Sequence, residues 1–217
     1  MAKAKVLQLR GNAARPMPPA GMLDAFSAQF TPAPEVLTWA RDQFIRDTGT
    51  LHNPEHQHLI EADFEMMWTN VGYAKGGRTV LGQTELVMIQ GGGWKRARQE
   101  LQMEEWFGRI PKFIITLDAN YCDQCTDAEF CALVEHELYH IGHKPDEFGN
   151  PGFTKEGDPK LYLRGHDVEE FVGVVRRYGV GDPGGAIAQL AAAARGMPEV
   201  SAASIASACG TCLQRAA

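Results

Sequence analysis

Hydrophobic side chains recur at helical spacing in several parts of the chain, and one short run has the composition of a buried strand. From 34 to 46 the apolar residues repeat every three or four positions, which predicts an amphipathic helix. The same spacing predicts a helix over 167–178, ending at Gly179. Residues 112–118 are β-branched and aromatic, and this composition predicts a strand.

The clearest helix signal begins at Thr126. The four residues from Thr126 to Glu129 have the form of a capping box, in which the two side chains satisfy backbone groups at a helix start. Gly142 is a suitable end for this helix. The apolar side chains between these ends fall on one arc of a helical wheel: Phe130, Leu133, Val134, Leu138 and Ile141.

The same segment contains the motif His136-Glu137-Leu138-Tyr139-His140. Two histidines four residues apart lie on one face of a helix, so both imidazoles can bind one Zn²⁺ from the same side. Glu137 then stands beside the metal, where it can accept a proton from a zinc-activated water. Glu137 also falls inside the apolar arc, where a carboxylate is costly without a partner, and zinc chemistry explains its presence. The alternative is a surface helix with two incidental histidines.

A catalytic zinc site needs three protein ligands and one open position. After the motif, one further stretch combines histidine with carboxylates, and we favour its His166 as the third ligand because it lies at a loop junction. Glu170 and then Glu169 are the alternates, although acidic residues also stabilise a helix start through its dipole. Tyr162 and Arg164, just before His166, are candidate donors to the oxyanion.

Four of the five cysteines form two C-x-x-C pairs, Cys122 with Cys125 and Cys209 with Cys212. Thiolates at this spacing can bind one Zn²⁺ as a four-cysteine site. Such a site requires the C-terminal tail to return to the base of the motif helix. Free thiols, with Cys131 as a buried fifth, are the open alternative. A second, structural zinc therefore stands as a hypothesis beside the catalytic one.

Composition restricts the class of protein. The chain has 217 residues, of which 44% are hydrophobic and 9% aromatic, and this suits a globular domain. A net charge of −6 argues against a large nucleic-acid-binding surface, so we expect no nucleic-acid partner. No apolar run approaches the roughly 18 residues of a membrane helix, and the N-terminus lacks the apolar region of a signal peptide. We therefore expect a cytoplasmic protein with reduced cysteines and no membrane partner.

The chain divides into three regions by composition. Residues 1–33 are rich in Pro and Ala and predict a flexible or loosely docked leader. Residues 34–180 alternate predicted helices and strands and form the predicted metallopeptidase domain. Residues 181–217 are an Ala-rich tail with the second C-x-x-C pair. The predicted fold class is α+β: a small zincin-like domain with a short mixed or antiparallel sheet, flanked by helices, and the motif on a central helix.

Three stretches carry a resemblance to a known family: 113–117, 130–140 and 166–171. Together they resemble the putative phage metallopeptidase family, and more distantly the SprT-like zincins, over about residues 35–180. The resemblance implies a Zn²⁺ peptidase encoded by phages or prophages, acting on a protein or peptide substrate in the host cytosol. The gap between the motif and the later histidine is longer than in the SprT-like pattern, so a Glu ligand of the gluzincin kind stays open.

These observations predict a zinc-dependent metallopeptidase that hydrolyses peptide bonds with a zinc-activated water and Glu137 as the general base. One alternative is a non-catalytic, zinc-stabilised module that binds another protein. Glu137 favours the enzyme over this module, because a purely structural site does not need it. The other alternative is a SprT-like DNA-associated protease, for which a local basic patch could be formed by Lys95, Arg96, Arg98 and Arg109. The oligomeric state is left open.

Overall fold

The computed structural model describes residues 7–75, 78–168, 172, 175–176, 179–200 and 209. These residues form an α+β fold with a mixed four-stranded sheet and two small two-stranded sheets, which confirms the predicted α+β class. The strands are β1 Phe30–Pro32, β2 Phe64–Thr69, β3 Ala74–Lys75, β4 Arg78–Thr79, β5 Gly82–Leu86, β6 Phe113–Asp118, β7 Ile141–His143 and β8 Leu161–Leu163. The helices are α1 Ala20–Leu23, α2 Pro34–Ala40, α3 Gly93–Phe107, α4 Ala119–Gln124, α5 Asp127–Tyr139 and α6 Ala186–Ala193.

The main sheet has the strand order β1-β2-β6-β5. Its two central strands, β2 and β6, are parallel, and the outer strands β1 and β5 run antiparallel to their neighbours. The central strands are buried over nearly their whole length, which is why residues 112–118 are almost continuously apolar rather than alternating. The outer strand β5 lies on the side of the sheet that α5 contacts.

The hydrophobic core lies where α2 and α5 pack against the sheet. Trp39 of α2 and Trp68 of β2 both pack against Phe130 of α5, with ring centroids 5.3 and 6.3 Å apart. Burial of each such side chain contributes roughly 1.5–3 kcal/mol, so this cluster holds the motif helix against the sheet. A five-residue π-helical segment, Arg41–Ile45, continues α2 as far as the predicted helix reaches.

Residues of the predicted leader from position 7 onward contact the rest of the fold, as in the loosely docked form of that prediction. The Arg15 guanidinium pairs with Asp127 at 3.1 Å and donates to the carbonyl oxygens of Cys122 and Cys125. The backbone N–H of Leu9 donates to the other Asp127 oxygen at 2.8 Å. These carbonyls lie at the end of α4 and need donors, and Arg15 supplies them. Composition alone does not reveal such a long-range pairing.

The C-terminal region is less buried. Helix α6 has no buried residue, and none of the residues from 179 to 200 is buried. The helix predicted over 167–178 falls mostly outside the described residues. Among the helices that the structure describes, none has both the length and the apolar character that crossing a membrane requires.

Candidate metal centre

Helix α5 positions the first two histidines. It begins with the predicted capping box: the Thr126 hydroxyl accepts from the backbone N–H of Glu129, and the Glu129 carboxylate accepts from the N–H of Thr126. Such a cap contributes about 1 kcal/mol and sets where the helix starts. His136 and His140 lie four residues apart at the other end of α5. Their rings lie on one side of the helix, with centroids 5.0 Å apart.

A hairpin brings His166 to the same place. After α5 the chain leaves along β7 and returns along β8, with Ile141 opposite Leu163. The N–H of Arg164 then donates to the carbonyl oxygen of His140 at 2.8 Å, which ties the returning chain to the end of the motif helix. His166 follows two residues later, and its Nε2 lies 3.1 Å from Nε2 of His136.

The spacing of the ring nitrogens suits a metal ion. His136 Nε2 lies 3.3 Å from His140 Nε2 and 3.1 Å from His166 Nε2. Tetrahedral zinc with Zn–N bonds of about 2.0–2.1 Å would separate two ligand nitrogens by about 3.3 Å. The three imidazoles therefore have a spacing that could hold one metal ion.

The protonation of these rings also suits metal binding. His140 Nδ1 lies 2.7 Å from the carbonyl oxygen of Arg164, which can only accept, so Nδ1 carries the proton and Nε2 presents its lone pair. Burial, with a smaller contribution from the neighbouring rings of His140 and His166, lowers the pKa of His136 to about 4. Burial also lowers the pKa of His140. Both imidazoles are thus neutral near pH 7, as metal ligation requires.

A fourth donor, the thiol of Cys209, joins the histidines. Its Sγ lies 3.1 Å from His140 Nε2, and the ligand atoms of His136, His140, His166 and Cys209 all lie within 4.8 Å of one another. Cys209 is 3% exposed and forms an isolated parallel bridge with Gly82 of β5. These four side chains form a group that could hold a metal ion.

This position differs from the four-cysteine site considered from the sequence. The structure places the Cys209 thiol with the histidines, whereas Cys122 and Cys125 lie buried around the end of α4, where the Cys125 thiol donates to the Cys122 carbonyl at 3.5 Å. Cys212 lies outside the described residues. Cys131 is buried in α5, as expected for a structural cysteine, and burial raises its pKa to about 12.

Glu137 lies beneath strand β5. Its carboxylate is fully buried, and the Thr84 hydroxyl lies 2.8 Å from its Oε2 and 2.9 Å from its backbone oxygen, so it donates to one of them at a time. A Cβ built on Gly82 would stand 2.9 Å from Glu137 Oε1. Sequence reasoning did not single out Thr84 or Gly82, although a glycine inside a strand is a signal for close approach by another group.

The other predicted site residues have distinct positions. The backbone of Arg164 contacts His140 through both its N–H and its carbonyl, and its side chain forms an ion pair with Asp167. Tyr162 is partly exposed, and its ring lies against Gly142. The alternates Glu169 and Glu170 lie outside the described residues.

Two adjoining cavities open beside the cluster. A smaller one of about 250 Å³ is lined by the three histidines, and a larger one of about 820 Å³ extends along the β7–β8 hairpin. Both are lined by Glu55, Tyr139 and Arg164, so the two cavities share part of their walls, and together they are called the groove. Tyr162 and Phe153 line the larger cavity only. A groove of this size next to the three histidines could accept an extended chain.

One family of known proteins matches the part of the chain that contains the three histidines. The model of the family described as putative phage metallopeptidase matches residues 37–195, which is well over half of the chain. No curated protein and no solved structure matches the chain. The matched range includes His136, His140 and His166, whereas Cys209 lies beyond it. The family predicted from the sequence is confirmed: the chain belongs to the putative phage metallopeptidase family.

Proposed function

We propose that the chain is a zinc-dependent metallopeptidase that hydrolyses peptide bonds. One observation carries this proposal: a fully buried carboxylate, Glu137, lies on the motif helix between His136 and His140, whose ring nitrogens have the spacing of metal ligands. A buried carboxylate on an apolar helix face is costly, and catalysis provides a reason for it that folding does not. The outer strand β5 lies above the motif helix, and this arrangement favours the proposal of a zincin-like domain.

Zinc fits the donor set best among common metals. Imidazole and thiolate ligands in tetrahedral spacing are typical of zinc, whereas Mg²⁺ and Ca²⁺ prefer oxygen ligands. When bound, zinc would supply Lewis-acid polarisation of the scissile carbonyl and lower the pKa of water. His136, His140 and His166 would hold it.

Residues of the chain supply proton transfer, orientation of the carboxylate and stabilisation of the oxyanion. Glu137 acts as the general base that takes the proton from the attacking water, and it then returns that proton to the leaving amine. The Thr84 hydroxyl, 2.8 Å from Oε2, orients the carboxylate. Arg164 is the better placed of the two proposed oxyanion donors, because it lines both cavities whereas Tyr162 lines only the larger one.

The groove supports a peptide or protein substrate, as the family also implies. The family supports a phage or prophage origin, and hence action in the cytosol of the host. The proposed catalytic unit spans 34–180, and the docked residues before it contribute Arg15 as a clamp on the α4–α5 turn. The DNA-associated alternative is not favoured, since two residues of its basic patch are ion-paired: Arg109 with Asp63 and Glu65, and Arg96 with Glu100.

The second candidate is a non-catalytic, zinc-stabilised binding module. It is favoured by the position of Cys209, because a site with four protein ligands is closed in the manner of a structural zinc. Such a module would explain the metal but would leave the buried Glu137 without a role.

The substitution Glu137→Gln tests the enzyme against the module. Glu137 is not among the grouped ligands, so we expect the variant to keep its zinc and to lose peptide cleavage by orders of magnitude. Zinc per chain and cleavage of a broad peptide library are measured for wild type, for Glu137→Gln and for both in a Cys209→Ser background. His136→Ala should lose both the metal and the activity.

A matched control is Glu135→Gln on the same helix. Glu135 accepts from Asn53 at 2.8 Å, and its Oε1 lies 3.6 Å from Nε2 of the buried His56. A glutamine oxygen can make both contacts, so this variant should keep the zinc content and the cleavage rate of the parent. Full cleavage by Glu137→Gln would contradict the general-base role. No cleavage by either parent would favour the binding module.

A further inference from the structure

The thiol of Cys209 lies where a metal bound by the three histidines would have its fourth ligand. Tetrahedral zinc with Zn–N bonds of about 2.0–2.1 Å and a Zn–S bond of about 2.3 Å would separate sulfur and nitrogen by about 3.5 Å. Sγ of Cys209 lies 3.1 Å from His140 Nε2, and it is grouped with the ligand atoms of His136 and His166 as well. The sulfur is therefore within reach of the same ion.

A catalytic zinc needs that fourth position for water and substrate, and a thiolate bound there excludes both. We propose that Cys209 is a removable inhibitory ligand: it holds the peptidase in a latent state, and its displacement from the metal opens the site. This inference rests on the proposed peptidase function and adds a form of regulation to it.

The backbone of Cys209, like its sulfur, obstructs the site. Cys209 forms a parallel bridge with Gly82, the first residue of β5. An extended peptide that adds to the edge of a sheet uses the same backbone groups. Gly82 lies directly over Glu137, with no room for a side chain between them. Cys209 thus occupies the strand position beside the general base that a substrate backbone would take.

The low burial of the segment that precedes Cys209 favours its release. From 179 to 200 the chain buries no residue, so Cys209 is the only buried residue after 180 within the described part of the chain. Within the described part of the chain, the strand contact at Cys209 is the bridge with Gly82. Displacement of the sulfur from the metal, together with loss of the bridge to Gly82, opens both the metal position and the β5 edge.

Cobalt substitution of the full-length protein tests the ligand directly. A thiolate bound to Co²⁺ gives a charge-transfer band in the near ultraviolet that imidazole ligands do not give. We expect this band in wild type, its loss in Cys209→Ser with one Co²⁺ still bound, and its retention in Cys131→Ala. Cys131 is the matched control because it is equally buried but lies outside the ligand group. A wild-type spectrum without the band, or loss of the band in Cys131→Ala, overturns the proposal.

Alkylation by iodoacetamide provides a second readout that does not depend on any variant. The thiolate displaces iodide and forms a thioether, and mass analysis of peptides locates it. We expect Cys209 in the zinc-loaded protein to react at least tenfold more slowly than after chelation of the metal. Equal rates with and without metal overturn the ligand role.

Cleavage of a peptide library by zinc-loaded protein then tests latency. We expect Cys209→Ser to turn over at least tenfold faster than wild type. Equal turnover overturns latency and leaves the peptidase assignment standing. If Cys209→Ser loses its metal, Cys209 is a structural ligand, and the proposal that it can be displaced while the metal stays bound is overturned. If neither protein cleaves any peptide, the proposed function fails and latency fails with it, while the cobalt spectrum still identifies the ligand.

Discussion

The substitution Gly82→Ala probes how closely β5 covers the general base. The added Cβ would lie 2.9 Å from Glu137 Oε1 and 2.9 Å from Leu133 Cδ1. Ordinary contacts of this kind are about 3.5 Å, so these atoms must move by about 0.5 Å. Gly82 does not have a positive φ, so the effect is steric and not a matter of backbone strain.

The displaced atoms have little space to move into. Glu137 is fully buried and Leu133 is 1% exposed, so the change overpacks the core and should cost about 1–3 kcal/mol of stability. A misplacement of about 1 Å can cost about 100-fold in rate, and we therefore expect kcat to fall by about 10- to 100-fold. The three atoms nearest to the new Cβ belong to Glu137 and Leu133 and not to a histidine, so metal content should not change.

The assay combines kcat and KM on a cleaved peptide with melting temperature and zinc per chain. It is run in a Cys209→Ser background, because Gly82 also pairs with Cys209. Gly72→Ala is the control, since a Cβ there meets no atom within 4 Å and Gly72 does not have a positive φ. A Gly82→Ala protein that is less stable but retains the parent kcat would refute the argument that Gly82 sets the position of Glu137.

Three further predictions concern the carboxylate, the N-terminal clamp and pH. Thr84→Val removes the hydroxyl that donates to Glu137, so it should cost about 1–3 kcal/mol of stability and lower kcat while zinc is retained. Thr84→Ser keeps a hydroxyl and should preserve both the stability and kcat. Arg15→Gln should lower the free energy of unfolding by about 2 kcal/mol or more in urea titrations, because a charged donor to Asp127 and to buried carbonyls is lost. The folded, metal-free protein keeps His136 neutral down to a pKa of about 4, whereas the unfolded chain takes up that proton near 6.5. Stability of the chelated protein should therefore fall as pH is lowered from about 6.5 to 4, as followed by thermal melting.

Each of these predictions has a result that would contradict it. An unchanged kcat in Thr84→Val would mean that its hydroxyl does not orient Glu137. An Arg15→Gln protein as stable as wild type would mean that the N-terminal region is not held by this side chain. A melting temperature that is constant between pH 6.5 and 4.5 would mean that His136 is not held neutral in the folded metal-free protein.

Local sequence determined the elements that carry the motif. The capping box at Thr126 and the apolar spacing after it depend only on neighbours within a few residues, and they predicted the start of α5 correctly. The predicted end at Gly142 was wrong: α5 ends at Tyr139, because Ile141–His143 pair with Leu161–Leu163 as strand β7. The positions of His136 and His140 on one face follow from the helical repeat alone. The run that became β6 could be recognised because a central parallel strand is buried on both faces and needs apolar residues throughout.

Tertiary structure decided the rest of the site. His166 was a candidate by residue type, but the β7–β8 hairpin brings its ring nitrogen to 3.1 Å from that of His136. Cys209 lies 69 residues beyond His140, and its C-x-x-C spacing suggested a partnership with other cysteines. Neither contact produces a periodic pattern of residues in the sequence, because each depends on which distant segments pack together. Periodicity records which face of an element is buried, and it carries no information about what that face meets.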